Sequence, residues 1–545
     1  MTNTAATADY DPVRGESEPD RYWSTTNTAE ATPQILTPLC WSVWGDGLEA
    51  AWLRSMGDFG VLSRREQIMS RDMNRRSTAA IYGRQAVNVD VLRTVLARLP
   101  GVAPDDVERD LLGSMRPGLP PEPRAVQRIP IIAAKLPMTA LRLDSRHVAQ
   151  CESQYQWWRE EVFDVDPANT PARTEPLHRL HVAAQRFSEA MYIHSIVRFL
   201  LPAAEGAVFS AAEKAGCQHI VSDTLRGYGS IAETQMTEAL WDVAQGHRTL
   251  VDFLADYGFH GPSEGNVYTR SWREEPGPLH SLVASFRARD DIISAKDREE
   301  EAMRARVRAE HELLCHVPRL RRPALRFMLG RAAGLTRKLE LTKAAYLMAL
   351  DGCRAAAREL GSQYVAEGSI QEADDIFFLT IPEIDAMAAD RSSGAEACIA
   401  YRRSQREIYE KITIPTAFTG MPDMTTEDPA VFACPPPDRP LSGKASGGGR
   451  REGRARVLTQ PDTDIELEAG DILVCRFTDP SWAPLMMLAS ALVIDIGTQS
   501  SHGAVVAREL GIPYIIGTEI GTRVIHDGDR VVVDGAANSV AIVRD

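Results

Sequence analysis

One histidine stands where the residue spacing suits nucleophilic chemistry. The segment 497–517 reads GTQSSHGAVVARELGIPYIIG and predicts a loop followed by a helix over 502–510. His502 then lies in the first turn of that helix, where Ser500 or Ser501 can cap the free backbone amides. These amides and the helix dipole favour an anion and disfavour an imidazolium ion. A neutral imidazole at this position can attack phosphorus and hold a phosphoryl group.

The same residues support a plainer interpretation. A histidine at a helix start is more often a polar cap than a nucleophile. Gly503 and Ala504, which follow His502, leave the backbone open to the approach of a bulky phosphoryl donor. On spacing alone, a structural role and a catalytic role both remain open.

Short strands and helices must position this histidine. After Pro435 the chain turns rich in proline and glycine, which predicts a hinge over 435–453. Beyond it the pattern predicts a small α/β domain over 454–545. Its predicted elements are a strand over 472–477, a helix over 484–491, strands over 492–496 and 514–517, and a tail of two or three strands joined by Asp-Gly turns.

The longer part of the chain before the hinge has helical patterning. Apolar residues recur there at three- and four-residue spacing, which predicts a large, mainly α-helical domain over 21–434 behind a flexible N-terminus over 1–20. The clearest helical segments are 52–62, 89–99, 180–200, 231–257 and 335–360. The predicted fold class is therefore multidomain, with a large helical domain followed by a small α/β domain.

Composition restricts the kinds of partner. The chain has 545 residues and a net charge of −14, which opposes binding to nucleic acid or to an anionic membrane. Eight scattered cysteines without a C-x-x-C pair fit a reducing cytosol. The N-terminus lacks a targeting pattern, and the apolar stretch 484–494 is shorter than the roughly 20 residues that span a bilayer. We therefore expect a cytoplasmic chain with small-molecule or protein partners.

The histidine segment resembles the signature of a known family. SSHGAVVARELGIPYIIG is similar to the phosphohistidine swivelling domain of the phosphoenolpyruvate-utilising enzymes. The flanking segments GRARVLTQ, with Gly453, and DGDRVVVDG, with Asp534, resemble the outer strands of that domain. The resemblance implies that His502 is transiently phosphorylated and that the domain swings between two sites. Ser501 and Gly503, on either side of His502, are the candidates to contact the phosphoryl group.

A second resemblance covers the helical part. Four segments, 21–45, 81–89, 257–276 and 372–384, are similar to the acceptor-binding domain of the rifampin phosphotransferase group. The resemblance implies that residues 21–434 bind a phosphoryl acceptor. Acceptors differ across the group, so it indicates the role of this domain better than any one substrate.

The resemblance also raises the question of the nucleotide. Members of the family carry an ATP-grasp domain, yet this sequence shows neither such a region nor a G-x-x-x-x-G-K-[ST] loop. We therefore expect a separate ATP-grasp subunit to supply ATP and Mg²⁺, as in phenylphosphate synthase. No metal is expected in the chain itself, because HELLCH (311–316) misses the H-E-x-x-H spacing and His178 with His181 has no third ligand.

Residues 257–276 contain the candidates for the acceptor side. His260 or Glu264 can act as the base for an acceptor hydroxyl, and Arg273 can neutralise phosphoryl charge. The alternative is a structural loop in which Glu264 and Arg273 form pairs around Trp272. Both interpretations fit the sequence.

Other candidates lie on predicted helices. Arg337 and Lys343 could reach a phosphate, or could belong to a solvated or ion-paired helix face. Trp41 and Trp44, together with Trp272, could wall a pocket for a flat acceptor, although ordinary core packing explains them equally well.

Together these observations predict one subunit of a two-subunit, dikinase-like phosphotransferase. His502 would carry a phosphoryl group from ATP to the hydroxyl of a small, phenolic aromatic compound, with AMP and phosphate as by-products, in the catabolism of aromatic compounds. One alternative is the same chemistry on a secondary metabolite or a rifamycin-like antibiotic. Another is a non-catalytic regulatory protein that retains the swivelling fold.

Overall fold

The fold is that of a computed structural model. It describes residues 10–26, 28–100, 102–105, 108–109, 116, 126–164, 175–228, 232–289, 294–389, 395–426, 440–445, 449–461, 467–497 and 501–543. Helices predominate in these residues, and a mixed sheet lies in the C-terminal part. This agrees with the predicted multidomain class of helical and α/β parts.

The described residues form fifteen α-helices. They are α1 (Pro38–Asp58), α2 (Val89–Leu96), α3 (Ile129–Trp158), α4 (Pro176–Lys214), α5 (Val221–Thr224), α6 (Ala232–Gln245), α7 (Leu250–Tyr257), α8 (Gly277–Arg287), α9 (Ala295–His316), α10 (Arg322–Ala366), α11 (Ile381–Ala389), α12 (Ala395–Lys411), α13 (Ala483–Leu488), α14 (His502–Glu509) and α15 (Gly521–Val524).

The described strands are short. They are β1 (Tyr22–Ser24), β2 (Thr78–Ile81), β3 (Arg84–Asn88), β4 (Ile412–Thr413), β5 (Ala417–Thr419), β6 (Thr425–Thr426), β7 (Leu441–Ser442), β8 (Arg450–Leu458), β9 (Ile472–Cys475), β10 (Ala491–Ile494), β11 (Tyr514–Ile516), β12 (Arg530–Asp534) and β13 (Ser539–Val543).

The chain divides into two compact units. The first comprises Met1–Ser195, Ser263–Arg270 and Ala345–Phe432, and the second comprises Ile196–Pro262, Ser271–Ala344 and Ala433–Asp545. Helices α4 and α10 contribute residues to both. These units group residues by packing, and the predicted domain limits at 21–434 and 454–545 stay predictions.

The first unit contains a small sheet that the helical pattern did not predict. Its strands β2, β3, β1 and β5 lie side by side in antiparallel pairs. The apolar cluster of this unit includes Trp23, Tyr409 and Phe418, all buried. Part of the N-terminus predicted to be flexible also packs here, since Val13 is buried and Asp11 accepts a hydrogen bond of 2.8 Å from the Tyr409 hydroxyl.

The second unit contains the seven-stranded mixed sheet. Strands β8, β9, β10 and β11 run parallel, and β12, β13 and β7 continue from β8 in antiparallel pairs. Helix α13 connects β9 to β10, and α14 connects β10 to β11, as parallel neighbours require. The predicted tail forms two strands, β12 and β13, because residues 521–524 turn into a short helix instead. Of the predicted hinge, the described residues form β7 and the start of β8.

The central strands are buried on both faces. Successive side chains alternate between two apolar clusters, with Leu473 and Ile494 in one and Val474 and Val493 in the other. The first cluster also holds Trp482 of the turn before α13, and it includes apolar residues of α6 and α8. This packing places the loops at the carboxyl ends of β9 and β10 near the helices of the same unit.

Two of the predicted helices differ from the observed ones at glycines. The predicted helix over 231–257 is two helices, because Gly246 takes the left-handed conformation after α6 and Thr249 caps α7. The predicted helix over 52–62 is the end of α1, which stops at Asp58 just before the left-handed Gly60. Helices α4 and α10 contain the other two long predicted segments.

One described helix, α4, is long and apolar enough to cross a membrane by length and composition. Its most apolar window of 18 residues has a mean hydropathy of 1.3, and a third of that window is buried. This helix is not the apolar stretch considered from the sequence, which was 484–494. A buried core helix meets the same criterion, so the finding does not by itself assign a membrane segment.

Candidate functional site

The helix start at His502 forms as predicted. Strand β10 ends at Ile494, and α14 begins at His502, at the carboxyl end of the parallel strands. This edge of an open parallel sheet is where such folds usually bind ligands. Ser501 takes the extended N-cap conformation, but its side chain forms no capping hydrogen bond, contrary to the expected cap. Ser500 lies outside the described residues.

Both ring nitrogens of His502 face a polar group. Its Nδ1 lies 3.2 Å from Oγ1 of Thr478, which follows β9. Its Nε2 lies 3.6 Å from Oε1 of Glu233, which lies in the first turn of α6. The histidine side chain is only 6% exposed, and the glutamate side chain only 4%. The imidazole is therefore held in a dry, polar niche of the second unit.

Gly503 makes the contact with Thr478 sterically feasible. A Cβ atom at this position would lie 2.6 Å from Oγ1 of Thr478 and 2.6 Å from Cδ1 of Ile494. The sequence suggested that this glycine leaves room for a phosphoryl donor. That suggestion stays a prediction, and the structure adds that the glycine lets the threonine approach the helix start.

The imidazole of His502 is neutral at neutral pH. Burial lowers its pKa most, and the ammonium of Lys343 and the ring of His260 lower it further, against the opposing effect of the Glu233 carboxylate. The resulting pKa is about 3. This agrees with the neutral imidazole that the helix position predicts, although burial contributes more than the dipole argument implied.

A pair of carboxyl groups lies beside the imidazole. Burial raises the pKa of Glu233, but Lys343, a hydrogen bond with Glu340 and the neighbouring His502 lower it to well below the ordinary value. Burial and the adjacent Glu233 carboxylate raise the pKa of Glu340 well above its ordinary value. The pair therefore holds one proton, which resides on Glu340, and Glu233 is ionised.

Lys343 is the cation of this site. Its Nζ lies 3.5 Å from Oε1 of Glu233, and its side chain is only 18% exposed. This contact agrees with the ion-paired alternative considered for Lys343. Glu340, which is buried, lies on the same face of α10 at i,i+3 spacing. His260 is also brought within electrostatic range of His502.

Three residues of the site were not among the sequence candidates. They are Thr478, Glu233 and Glu340. The spacing of Glu340 and Lys343 on one helix face was a usable signal for the second carboxyl. Glu233 and Thr478 had no comparable signal, because tertiary packing alone brings them to the histidine.

The remaining candidates in the second unit lie in polar or apolar packing. Arg337 donates from Nη1 to the carbonyl of Tyr228 at 3.4 Å. The guanidinium of Arg273 lies 3.9 Å from Glu274, and its backbone amide donates to the carbonyl of Gly258. Trp272 is buried, and its ring lies 6.0 Å from those of His260 and Phe253, as core packing would have it.

Three candidates belong to the first unit. Trp44 is buried, donates from its indole nitrogen to the carbonyl of Gly265 at 2.7 Å, and packs edge-on against Phe187. Trp41 is partly buried against the apolar cluster of that unit. The backbone carbonyl of Glu264 accepts a hydrogen bond from Arg354. An acceptor-binding role for these residues, and the basic role of Glu264, stay predictions.

Within the described ranges, no group of three or more His, Cys, Asp or Glu side chains is arranged to hold a metal ion. The expectation about metal binding therefore stays a prediction.

Two protein-family models match parts of the chain. The mobile domain of PEP-utilising enzymes matches residues 467–538, which include His502 and the parallel strands around it. The fourth domain of rifampicin phosphotransferase matches residues 245–339, in the helical part of the second unit. The first match includes His502 and Thr478, whereas Glu233, Glu340 and Lys343 lie just outside the second.

Curated relatives agree with these matches. Rifampicin phosphotransferase of Streptomyces sviceus is 29% identical over 296 residues, which are 53% of this chain and 34% of that protein. The enzyme of the same name from Bacillus subtilis is 28% identical over 298 residues, 54% of this chain and 34% of that protein. A prodigiosin synthesizing transferase of Serratia marcescens is 29% identical over 303 residues, 54% of this chain and 33% of that protein.

The chain thus spans about a third of the length of the curated relatives that it matches. Residues 467–538 of the chain thus match the mobile domain of the phosphoenolpyruvate-utilising enzymes, and about half of the chain is similar to the rifampicin phosphotransferases.

Proposed function

We propose that this chain is the phosphocarrier and acceptor-binding part of a dikinase-like phosphotransferase. His502 takes a phosphoryl group from ATP that is bound by a separate ATP-grasp polypeptide. It then passes the group to the hydroxyl of a small phenolic acceptor, with AMP and phosphate as by-products. ATP and Mg²⁺ are held by the partner in this proposal.

The observation that carries the proposal is the state of His502. A buried imidazole with a pKa of about 3 keeps a lone pair available at neutral pH, as a nucleophile requires. The nearby ammonium of Lys343 can neutralise the charge of a phosphoryl group on the ring. Phosphoryl transfer depends mainly on such positioning and charge neutralisation.

Thr478 can fix the tautomer that the chemistry needs. When Nδ1–H donates to Oγ1 of Thr478, the lone pair of Nε2 is free to attack phosphorus. The Nε2–P bond forms as the bond from phosphorus to the leaving phosphate oxygen breaks. In the second step the acceptor oxygen bonds to phosphorus, and Nε2 departs with its electron pair. The ring leaves as neutral imidazole because Nδ1 keeps its proton throughout.

A phenolic acceptor suits this chemistry. Its oxygen ionises close enough to neutral pH, about pH 10, that modest help from a base makes it a nucleophile. The indole side chains of Trp41, Trp44 and Trp272 remain the candidates to contact a flat ring.

A rifamycin-like acceptor is the second candidate. It is favoured by the relatives named rifampicin phosphotransferase, which are 28–29% identical over about half of this chain. A screen of hydroxylated aromatic compounds against rifamycin macrocycles, read as AMP release in the presence of the ATP-grasp partner, separates the two acceptor classes.

Labelling of His502 tests the proposed function. With the ATP-grasp partner and ATP, the chain should gain one phosphate that is labile in acid and stable in base, and His502→Ala should abolish it. His526→Ala serves as the matched control, because His526 lies in the same unit with its side chain 80% exposed. Intact phosphopeptide mapping measures the result. Labelling that persists in His502→Ala would contradict the proposal.

A further inference from the structure

We infer that Glu233 is the general base that removes the proton from the acceptor hydroxyl during transfer from His502. This inference rests on the proposed function. Among the described residues, Glu233 supplies the carboxylate that lies within 4 Å of Nε2. It is buried, so water does not compete for its oxygen atoms. Geometry of this kind is the first requirement for a catalytic base.

The carboxylate lies where the reacting groups must meet. A phosphoryl group bonded to Nε2 takes up the space that Oε1 of Glu233 faces at 3.6 Å. The carboxylate then has to move aside, to the outer side of the phosphoryl group. The acceptor oxygen attacks from that side, because the attacking and leaving atoms lie roughly in line. Glu233 is therefore placed to accept the hydroxyl proton.

The charges explain when Glu233 becomes basic. In the structure, Lys343 pairs with its carboxylate and keeps its pKa low, so the residue is a weak base. An arriving phosphoryl group brings negative charge that both attracts Lys343 and repels the Glu233 carboxylate. Both effects raise the proton affinity of Glu233. The base is thus activated only when the histidine is loaded.

Glu340 completes the arrangement. It carries the one proton of the carboxyl pair and hydrogen-bonds to Glu233, which fixes the orientation of the ionised carboxylate. In the transfer step, the O–P bond to the acceptor forms and the Nε2–P bond breaks with its electron pair on Nε2. The acceptor proton moves to Glu233, and water takes it up when the product leaves.

The test separates loading of the histidine from unloading. The whole chain is phosphorylated with phosphoramidate, a small donor for imidazoles, and transfer is then followed by phosphorus NMR to water and to phenol as acceptor hydroxyls. Glu233→Gln should be labelled at the wild-type rate but should transfer at least about a hundredfold more slowly. Glu238→Gln is the matched control, an isosteric change on the same helix at a partly exposed site, and should transfer normally.

A second variant distinguishes a base from a structural residue. Glu233→Ala should also lose transfer, and added formate should restore it in part, because a small carboxylate can replace the missing base. Transfer by Glu233→Gln at the wild-type rate would overturn the inference, as would a lack of restoration by formate. If the wild-type chain is not labelled at His502, the proposed function itself has failed, and the inference fails with it.

Discussion

Each end of helix α14 holds a buried titratable group, and the pKa values of the two groups shift in opposite directions. His502 begins the helix and is held neutral by burial and by the cation Lys343. Glu509 ends it, 6% exposed, and its Oε2 accepts a hydrogen bond of 2.7 Å from the amide of Gly227. Burial raises the pKa of Glu509 to about 7, against the lowering effects of the Gly227 amide and Arg508.

The neighbours differ more than the burial does. Around His502, the carboxylate of Glu233 lies 3.6 Å from the nitrogen that would react, and Lys343 pairs with that carboxylate. Around Glu509, the interacting partners are a backbone amide and the side chains of Arg508, Glu299 and Arg306, which suits packing of the helix rather than chemistry. Both ends therefore have a shifted pKa and charged neighbours, and what sets the start of the helix apart is an ion pair next to a nucleophilic ring nitrogen.

The two ends also respond to pH with opposite signs. The pKa of His502 is about 3 in the folded chain and 6.5 ordinarily, so its contribution to stability is present above pH 6.5 and is lost as pH falls toward 3. The pKa of Glu509 is raised from 4.5 to about 7, so its contribution is present below pH 4.5 and is lost as pH rises through 7. Between about pH 4.5 and 6.5 the two effects cancel.

The largest expected effect comes from removing Lys343, the cation of the site at the start of α14. Lys343→Met removes the charge that neutralises the phosphoryl group, so transfer from His502 should fall by about a hundredfold to a thousandfold. Stopped-time phosphorus NMR of the loaded chain measures the rate. Lys338→Met, on the same helix, is the control and should transfer normally. An equal loss in both variants would mean that any change on α10 disturbs the site.

The second-largest expected effect is on the pH dependence of the free energy of unfolding, which distinguishes Glu509 from His502. Glu509→Gln removes the titration at the helix end, and the buried carboxylate costs at most about 3 kcal/mol above pH 7. The variant should be about as stable as the wild type below pH 4.5 and more stable above pH 7. It should also lose stability steadily as pH falls below 6.5, because the His502 effect is then unopposed.

Denaturant titrations at intervals of about one pH unit between pH 4 and 8 measure the free energy of unfolding. His502→Asn should show the mirror image, with a loss of stability as pH rises from 4.5 to 7. Parallel pH profiles for the wild type and both variants would show that neither end is linked to protons.

The elements around His502 could be predicted from sequence because each had local signals. Buried strands read as short apolar runs, and Gly511 with Pro513 marks the end of α14. Observed and predicted boundaries in this region coincide or differ by at most three residues. The family signature added the role of His502, which the spacing alone left open.

The rest of the site could not be predicted, for physical reasons. Glu233 comes from a helix much earlier in the chain, and a glutamate in a first helical turn looks like any other until packing buries it. The sheet of the first unit was missed because it joins distant parts of the chain, with β1 paired to β5 from the far end of that unit. Such contacts leave no local pattern in the sequence.

The smallest expected effect is a change in the free energy of unfolding on replacing Gly503, in the first turn of α14. Gly503→Ala would place a methyl group 2.6 Å from both Thr478 and Ile494, so one of them must shift. We expect a loss of about 1–3 kcal/mol in the free energy of unfolding, as is usual for overpacking. Gly330→Ala, in helix α10 with open space around its Cβ position, should instead stabilise by about 0.5–1 kcal/mol.

The two glycine variants also separate stability from chemistry. If Gly503 serves to seat Thr478 against Nδ1, Gly503→Ala should slow loading of His502 in a folded sample, because the tautomer is no longer fixed. If it serves mainly to admit a bulky donor, loading by the small donor phosphoramidate should be unaffected, while loading by the ATP-grasp partner fails. The ratio of the loading rate with phosphoramidate to the loading rate with the ATP-grasp partner therefore decides whether Thr478 or the phosphoryl donor requires a glycine at position 503.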